Sequence, residues 1–156
     1  MVLTQEEFET LIEDRTKKIT EDIIWREDED KSCSLVFKSK INSESDYPLV
    51  IVGRYNSKKE SLSYAIIHEK VGRIYGLDIG QNHKNPSDGR RIGRLHKHRW
   101  TKKYGDKEAY RPLDITCPAT DLRGVWKEFC IESKIVHEGL MTIPPINEQL
   151  DLFDII

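Results

Sequence analysis

The chain has 156 residues, of which 37% are apolar and 33% charged, with a formal net charge of −2. That length encloses one hydrophobic core and not two, and no apolar run approaches the roughly 20 residues that cross a bilayer. Cys33, Cys117 and Cys130 are odd in number, widely spaced and without a Cys-x-x-Cys pair, which argues against a disulfide framework and a thiolate zinc site.

In chain order, Thr4-Gln5-Glu6-Glu7 is a capping box that starts a helix, with Leu3 and Phe8 spaced as a hydrophobic staple. Phe8, Leu11, Ile12, Arg15 and Ile19 trace one stripe at helical spacing, so this helix is expected to lie on a sheet. From Ile23 to about Trp100, short runs rich in β-branched and aromatic residues alternate with polar turns. The expected strands are Ile23 to Arg26, Cys33 to Ile41, Leu49 to Tyr55, Leu62 to Glu69, Gly72 to Ile79 and Leu95 to Thr101. Thr120 or Asp121 then caps a second helix whose Leu122, Val125, Trp126, Phe129 and Cys130 form a core stripe. The predicted fold is α+β: an antiparallel sheet of five to six strands packed by an N-terminal and a C-terminal helix. One domain is expected over residues 1–140, followed by an extended tail over 141–156 whose Pro144-Pro145 favours a semi-rigid spacer. With no basic or apolar leader pattern at the start, the expected location is the cytoplasm.

Charge is unevenly spread. Eleven acidic residues fall within the first thirty positions, whereas Lys84 to Arg111 is strongly basic. The basic segment, with Arg90, Arg91, Arg94, Lys97, Lys102 and Lys103, is a candidate contact for DNA or RNA, against the plainer reading of a solvated surface.

Within that segment His96 and His98 fall on one face of a strand and Lys97 and Arg99 on the other. A strand polar on both faces belongs at an edge or along a cleft. Three uses of the pair remain open. His96 and His98 can act as acid and base of a metal-independent nuclease or phosphodiesterase, with Arg94 or Arg99 stabilising charge and Tyr104 alongside. They can join His83 or Asp78 on zinc or manganese. Or they are surface histidines beside phosphate-binding arginines. No cofactor beyond such a divalent ion is expected.

The residues Gln149, Leu150, Asp151, Leu152 and Phe153 resemble the peptide by which bacterial proteins dock on the replication sliding clamp. The resemblance implies that Gln149 meets a polar rim, Leu150 a shallow subsite, and Leu152 and Phe153 a deep one, with Asp151 in a slot tolerant of small polar residues. The competing reading is a terminal strand that closes the sheet.

A second resemblance runs through Leu77-Asp78-Ile79, Asn85-Pro86, Asp88-Gly89, His96-Lys97-His98, Tyr104-Gly105-Asp106-Lys107 and Ala109-Tyr110. This pattern is similar to a family of uncharacterised prokaryotic and prophage-borne proteins. Here Ser87 is inserted before Asp-Gly, Lys97 stands between the histidines and Glu108 precedes Ala109. The family carries no reaction; the likeness implies a bacterial or phage origin and one cluster of His96, His98, Tyr104, Asp106 and Tyr110. The leading functional expectation is an accessory protein recruited to the clamp and touching nucleic acid, with the small nuclease as the alternative.

Overall fold

The computed structural model of the chain describes residues 3–145; the clamp-like peptide lies outside the described residues. Helix α1 (Gln5–Glu13) begins at the capping box, where Thr4 Oγ1 accepts from Glu7 N–H at 3.0 Å and Glu7 Oε1 from Thr4 N–H at 3.1 Å. It buries Phe8, Leu11 and Ile12. The helix does not continue to Arg15 and Ile19. Asp14 leaves it in an extended conformation, and the ammonium of Lys17 folds back onto the carbonyls of Leu11 and Ile12 at 2.9 and 2.7 Å. Carbonyls of the last helical turn run short of intrahelical donors, although Leu11 O also accepts from Asp14 N–H at 3.3 Å. Lys17 is buried by this arrangement, and desolvation pulls its pKa down to about 8.

Strand β1 (Lys18–Ile19) follows, then β2 (Ile23–Ile24), β3 (Arg26–Glu27), β4 (Ser34–Ile41), β5 (Leu49–Asn56), β6 (Ser61–His68) and β7 (Gly72–Ile79). A small hairpin of β8 (His83–Lys84) and β9 (Arg91–Ile92) precedes β10 (Leu95–Arg99) and β11 (Ala109–Tyr110). Helix α2 (Leu122–Ser133), β12 (Val136–His137) and β13 (Met141–Thr142) complete the described chain. Among the described residues the main sheet has seven antiparallel strands in the order β11-β10-β7-β6-β5-β4-β3. It is a meander interrupted only by the β8–β9 excursion.

The expectation of five to six strands is therefore corrected to seven. Ile23 to Arg26, read as one strand, is two: β2 pairs in parallel with β13 and β3 pairs with β4. Trp25, between them, is buried. The extra edge strand, Ala109–Tyr110, is too short to show a period in sequence. Met141 and Thr142, assigned to the tail from sequence, sit beside Ile23 and Ile24.

Alternation along β4, β5 and β6 sends Leu35, Phe37, Ile51, Tyr55, Leu62 and Tyr64 to one face of the sheet, where they meet α2. Asp121 caps α2 by accepting from Gly124 N–H, and the buried Tyr64 hydroxyl donates to Leu122 O at 2.8 Å. On β10 the same inward positions carry Lys97 and Arg99. Lys97 has no exposed surface, and its ammonium meets Asp114 at 2.9 and 3.1 Å, the Glu132 carboxylate of α2 and the ring of Tyr75. Arg99 pairs with Glu9 of α1. Charge thus fastens β10 to both helices. Lys97, expected to touch nucleic acid, is instead an internal anchor, with desolvation lowering its pKa against the pull of Asp114.

Replacing Lys97 by alanine removes the cation and leaves two carboxylates facing a void. Breaking a buried pair costs about 3–5 kcal/mol, and because Asp114 and Glu132 are 38% and 34% exposed a loss of about 2–4 kcal/mol is expected, read by urea denaturation. Unchanged stability would mean that Lys97 is not the anchor described.

Candidate metal centre

The outward face of β10 carries His96 and His98, and both rings are enclosed, at 2% and 3% exposure. Strand register decides their neighbours. His96 stands opposite Asp78 and His98 opposite Gly76 on β7. The missing side chain at Gly76 matters, because a Cβ there would lie 3.2 Å from Arg73 Cδ and 3.3 Å from Tyr64 O. Arg73 therefore passes across this position and reaches Asp78 at 3.2 Å and Asp106 at 2.9 Å.

His83 comes from outside the sheet. Gly80, at φ +132° with Ser61 Cβ only 2.7 Å from where its own Cβ would be, turns the chain off β7. The β8–β9 hairpin then folds back toward β11. Buried Asn85 fixes it there, its amide donating to Ala109 O and accepting from Ala109 N–H, both at 2.8 Å. Ser87 adds two hydrogen bonds to Glu108. In this position the His83 ring centroid lies 5.4 Å from that of His96 and 4.6 Å from that of His98, while His96 and His98 are 4.9 Å apart.

One nitrogen from each of the three rings falls within 4.8 Å of the other two. Each ring also turns one nitrogen to a main-chain carbonyl: His83 Nε2 faces Lys107 O at 2.6 Å, His96 Nδ1 faces Gly93 O at 2.9 Å, and His98 Nδ1 faces Asp106 O at 2.8 Å. Imidazoles that ligate metals characteristically give their second N–H to a carbonyl or carboxylate, which fixes the tautomer and aims the lone pair of the other nitrogen. Here three rings do so at once. Nitrogens bound to one zinc at about 2.1 Å lie about 3.4 Å apart in a tetrahedron, so modest ring rotations would close the set.

Asp78 Oδ2 lies 3.1 Å from His98 Nε2 and 3.6 Å from His96 Nε2. Burial by itself would raise its pKa, but hydrogen bonding to His96 and His98 and the charge of Arg73 outweigh that and hold the carboxyl well below the usual range. A carboxylate so weakly basic is a poor proton acceptor near neutrality and a good anionic ligand or counter-charge. For His96 and His98, each ring has an acceptor at both nitrogens. A neutral imidazole has one N–H and can serve only one of them. The Nε2 and carboxylate groups are complementary to a cation between them, whether a ring proton or a metal ion.

The cluster forms one end of a cleft of about 480 Å3 that runs over the outward face of β7, β6, β5 and β4. Other residues named from sequence lie elsewhere. Arg99 is on the opposite face of β10 with Glu9. Tyr104 has its ring under the ammonium of Lys103 and does not line the cleft. Arg90, Arg91 and Arg94 are exposed on and after the hairpin, whereas Lys102 sits beside α1, its N–H on Gln5 Oε1. The basic segment is thus divided between two places. Arg73 and the carbonyl of Gly93 are supporting groups that the sequence did not single out, whereas Asp106 and Asn85 stand in the pattern of the family resemblance.

A family model described as a family of unknown function (DUF6978) matches residues 3–135. No curated protein and no solved structure matches the chain. Among the described residues no helix is long and apolar enough to cross a membrane.

A direct test is metal titration by calorimetry. One zinc ion per chain is expected for the wild type. His83→Ala, His96→Ala and His98→Ala should each lose more than the ~10–100-fold that removal of an outer-sphere partner costs. Stoichiometric binding that survives all three changes would place the ion elsewhere.

Proposed function

The chain belongs to this family of unknown function, and we propose that it is a metal-dependent hydrolase of phosphate esters. The observation that carries this reading is the convergence of His83, His96 and His98, each backed by a main-chain carbonyl, at the end of a cleft with cationic walls. Three imidazoles suit zinc and leave a coordination position for water or substrate. An ion held there supplies Lewis-acid polarisation of a phosphoryl oxygen and lowers the pKa of water.

The chain's own groups do the rest. His96 and His98 are held by β10, and His83 by the Asn85 anchor, so the donor set is preorganised on rigid elements. Asp78, kept ionised by Arg73, completes or flanks the donor set and offsets the ion's charge. Lys107, on the cleft wall next to His83, is positioned to attract a phosphoryl group. This differs from the acid–base nuclease in that neither histidine carries the proton.

Hydrolysis of bis(p-nitrophenyl) phosphate, a simple phosphodiester, is the first assay. Activity should disappear with chelator, return on adding zinc or manganese, and fall at least ~100-fold in His98→Ala, about 2.7 kcal/mol of transition-state stabilisation. Hydrolysis indifferent to chelator would favour the acid–base pair instead. Absence of hydrolysis of both this ester and phosphomonoesters, with metal bound, would end the hydrolase reading.

A second reading concerns location in the cell, and the sequence Gln149-Leu150-Asp151-Leu152-Phe153 favours it. Resembling a bacterial clamp-docking peptide, it would bring the folded body to replicating DNA and raise its local concentration there. Leu152→Ala with Phe153→Ala should weaken binding to purified clamp by at least ~10-fold, or ~1.4 kcal/mol. Equal binding of the two proteins would end this idea, and a fall of several degrees in Tm would support the terminal-strand alternative.

A further inference from the structure

The cleft is electrostatically two-ended. At the histidine end the cation Arg73 is neutralised by Asp78 and Asp106. At the other end Lys31, Arg54 and Lys59 line the same cleft, and among the described residues none of the three has an ion-pair partner; Asp28 is the one acidic side chain there. These cations come from three separate segments: the turn before β4, the middle of β5 and the turn between β5 and β6. Their convergence is a property of the fold and not of a charged run in sequence.

Register gives the spacing. On the outward face His96, Asp78, Ser63 and Arg54 form one cross-strand row through β10, β7, β6 and β5. Neighbouring strands lie about 4.8 Å apart, so three steps separate Arg54 from His96 by about 14 Å at the backbone. Hydroxyl and amide groups surround Arg54. Ser63 is its direct neighbour on β6, and Asn56 donates to Ser34 Oγ at 3.0 Å while accepting from Lys59 N–H at 2.9 Å, which holds the Lys59 turn against the cleft. A guanidinium with adjacent hydroxyls and two ammonium groups is a fitting environment for a phosphate, which takes bidentate hydrogen bonds from arginine.

We infer that Arg54, with Lys59 and Lys31, forms a second phosphate subsite, so that the substrate is a phosphate ester bearing a further phosphate no more than about 14 Å from the reacting one, a limit that shortens as the Arg54 side chain extends along the cleft. The inference rests on the hydrolase reading for the role of the histidine end, but the subsite itself is defined without the metal. The cleft volume is that of a small-molecule site. Among the described residues at this end the one lining aromatic, Tyr55, is buried at 3% exposure and offers no face for base stacking. Recognition at this end is accordingly of phosphate and not of a base. A nucleoside 3′,5′-bisphosphate and a 5′-phosphorylated dinucleotide share this chemistry.

The experiment is calorimetric binding at low salt to the full chain, with and without zinc. The probes are adenosine 3′,5′-bisphosphate, a 5′-phosphorylated dinucleotide, adenosine 5′-monophosphate and adenosine. At least one of the two bis-phosphates should bind at least ~10-fold more tightly than the monophosphate, and which one does identifies the source. Arg54→Gln should remove that advantage, since a charged hydrogen bond of this kind is worth about one to two decades, while leaving zinc affinity unchanged. Arg54 is exposed and has no ion pair among the described residues, so the variant is expected to fold, with Lys59→Gln as a second probe of the same subsite. Equal affinity for bis-phosphates and monophosphate, or an advantage untouched in both variants, overturns the subsite. Failure of zinc binding would remove the hydrolase reading, and the metal-free titrations would still decide Arg54.

Discussion

The two-residue period of β10 governs this molecule. Lys97 and Arg99 face inward and are held by carboxylates on or near the helices, so His96 and His98 must face outward. Desolvating an ammonium costs several kcal/mol, offset here by Asp114, Glu132 and the face of Tyr75. A slip of one residue would put two imidazoles into the apolar layer and two cations into the cleft. The buried ion pairs therefore specify which face of the strand carries chemistry, a stronger consequence than any stability they add. The Tyr110 hydroxyl donates to Glu132 at 2.7 Å, extending the same network to the edge strand.

The carbonyls behind the histidines give the irregular segments a purpose. Gly93 O, Asp106 O and Lys107 O belong to connections on either side of β10 and accept from the three rings. Each connection is itself pinned. Arg94 N–H side-chain contact with Gly80 O closes the base of the hairpin, and Thr101 and Gly105 exchange two backbone hydrogen bonds that tighten the following turn. Side chains aimed by main chain are aimed by the whole fold, which limits the freedom that a loop-borne ligand such as His83 would otherwise have.

The flat sheet face makes a cleft because its walls are added by excursions: the hairpin at one end and the turns beside β4 and β5 at the other. Between them run small or polar residues such as Ser63 and Ser61, which leave the floor low. Paired charge at the histidine end and unpaired cations at the far end give the cleft a direction along which an anionic ligand can be oriented.

Periodicity, capping and turn chemistry are local, and they were sufficient for both helix starts and for the strands from Ser34 to Ile79 within a residue or two. The His-x-His pair on one face of β10, and Asp78 and His83 as companions, were also legible, because a strand's alternation is independent of what it packs against. Sequence could not decide between acid–base, metal and passive roles, since these differ in where the second ring nitrogen points, and that is set by carbonyls brought in from the two connections flanking β10. Nor could it separate Lys97 from its basic neighbours: a lysine among arginines reads as surface until Asp114 and Glu132, distant in sequence, are folded over it. Long-range pairing also split Ile23 to Arg26, joined Met141 to Ile23, and gathered Lys31, Arg54 and Lys59 into one wall. In each case the deciding neighbour is supplied by strand register or helix docking, and no local pattern of residues encodes it.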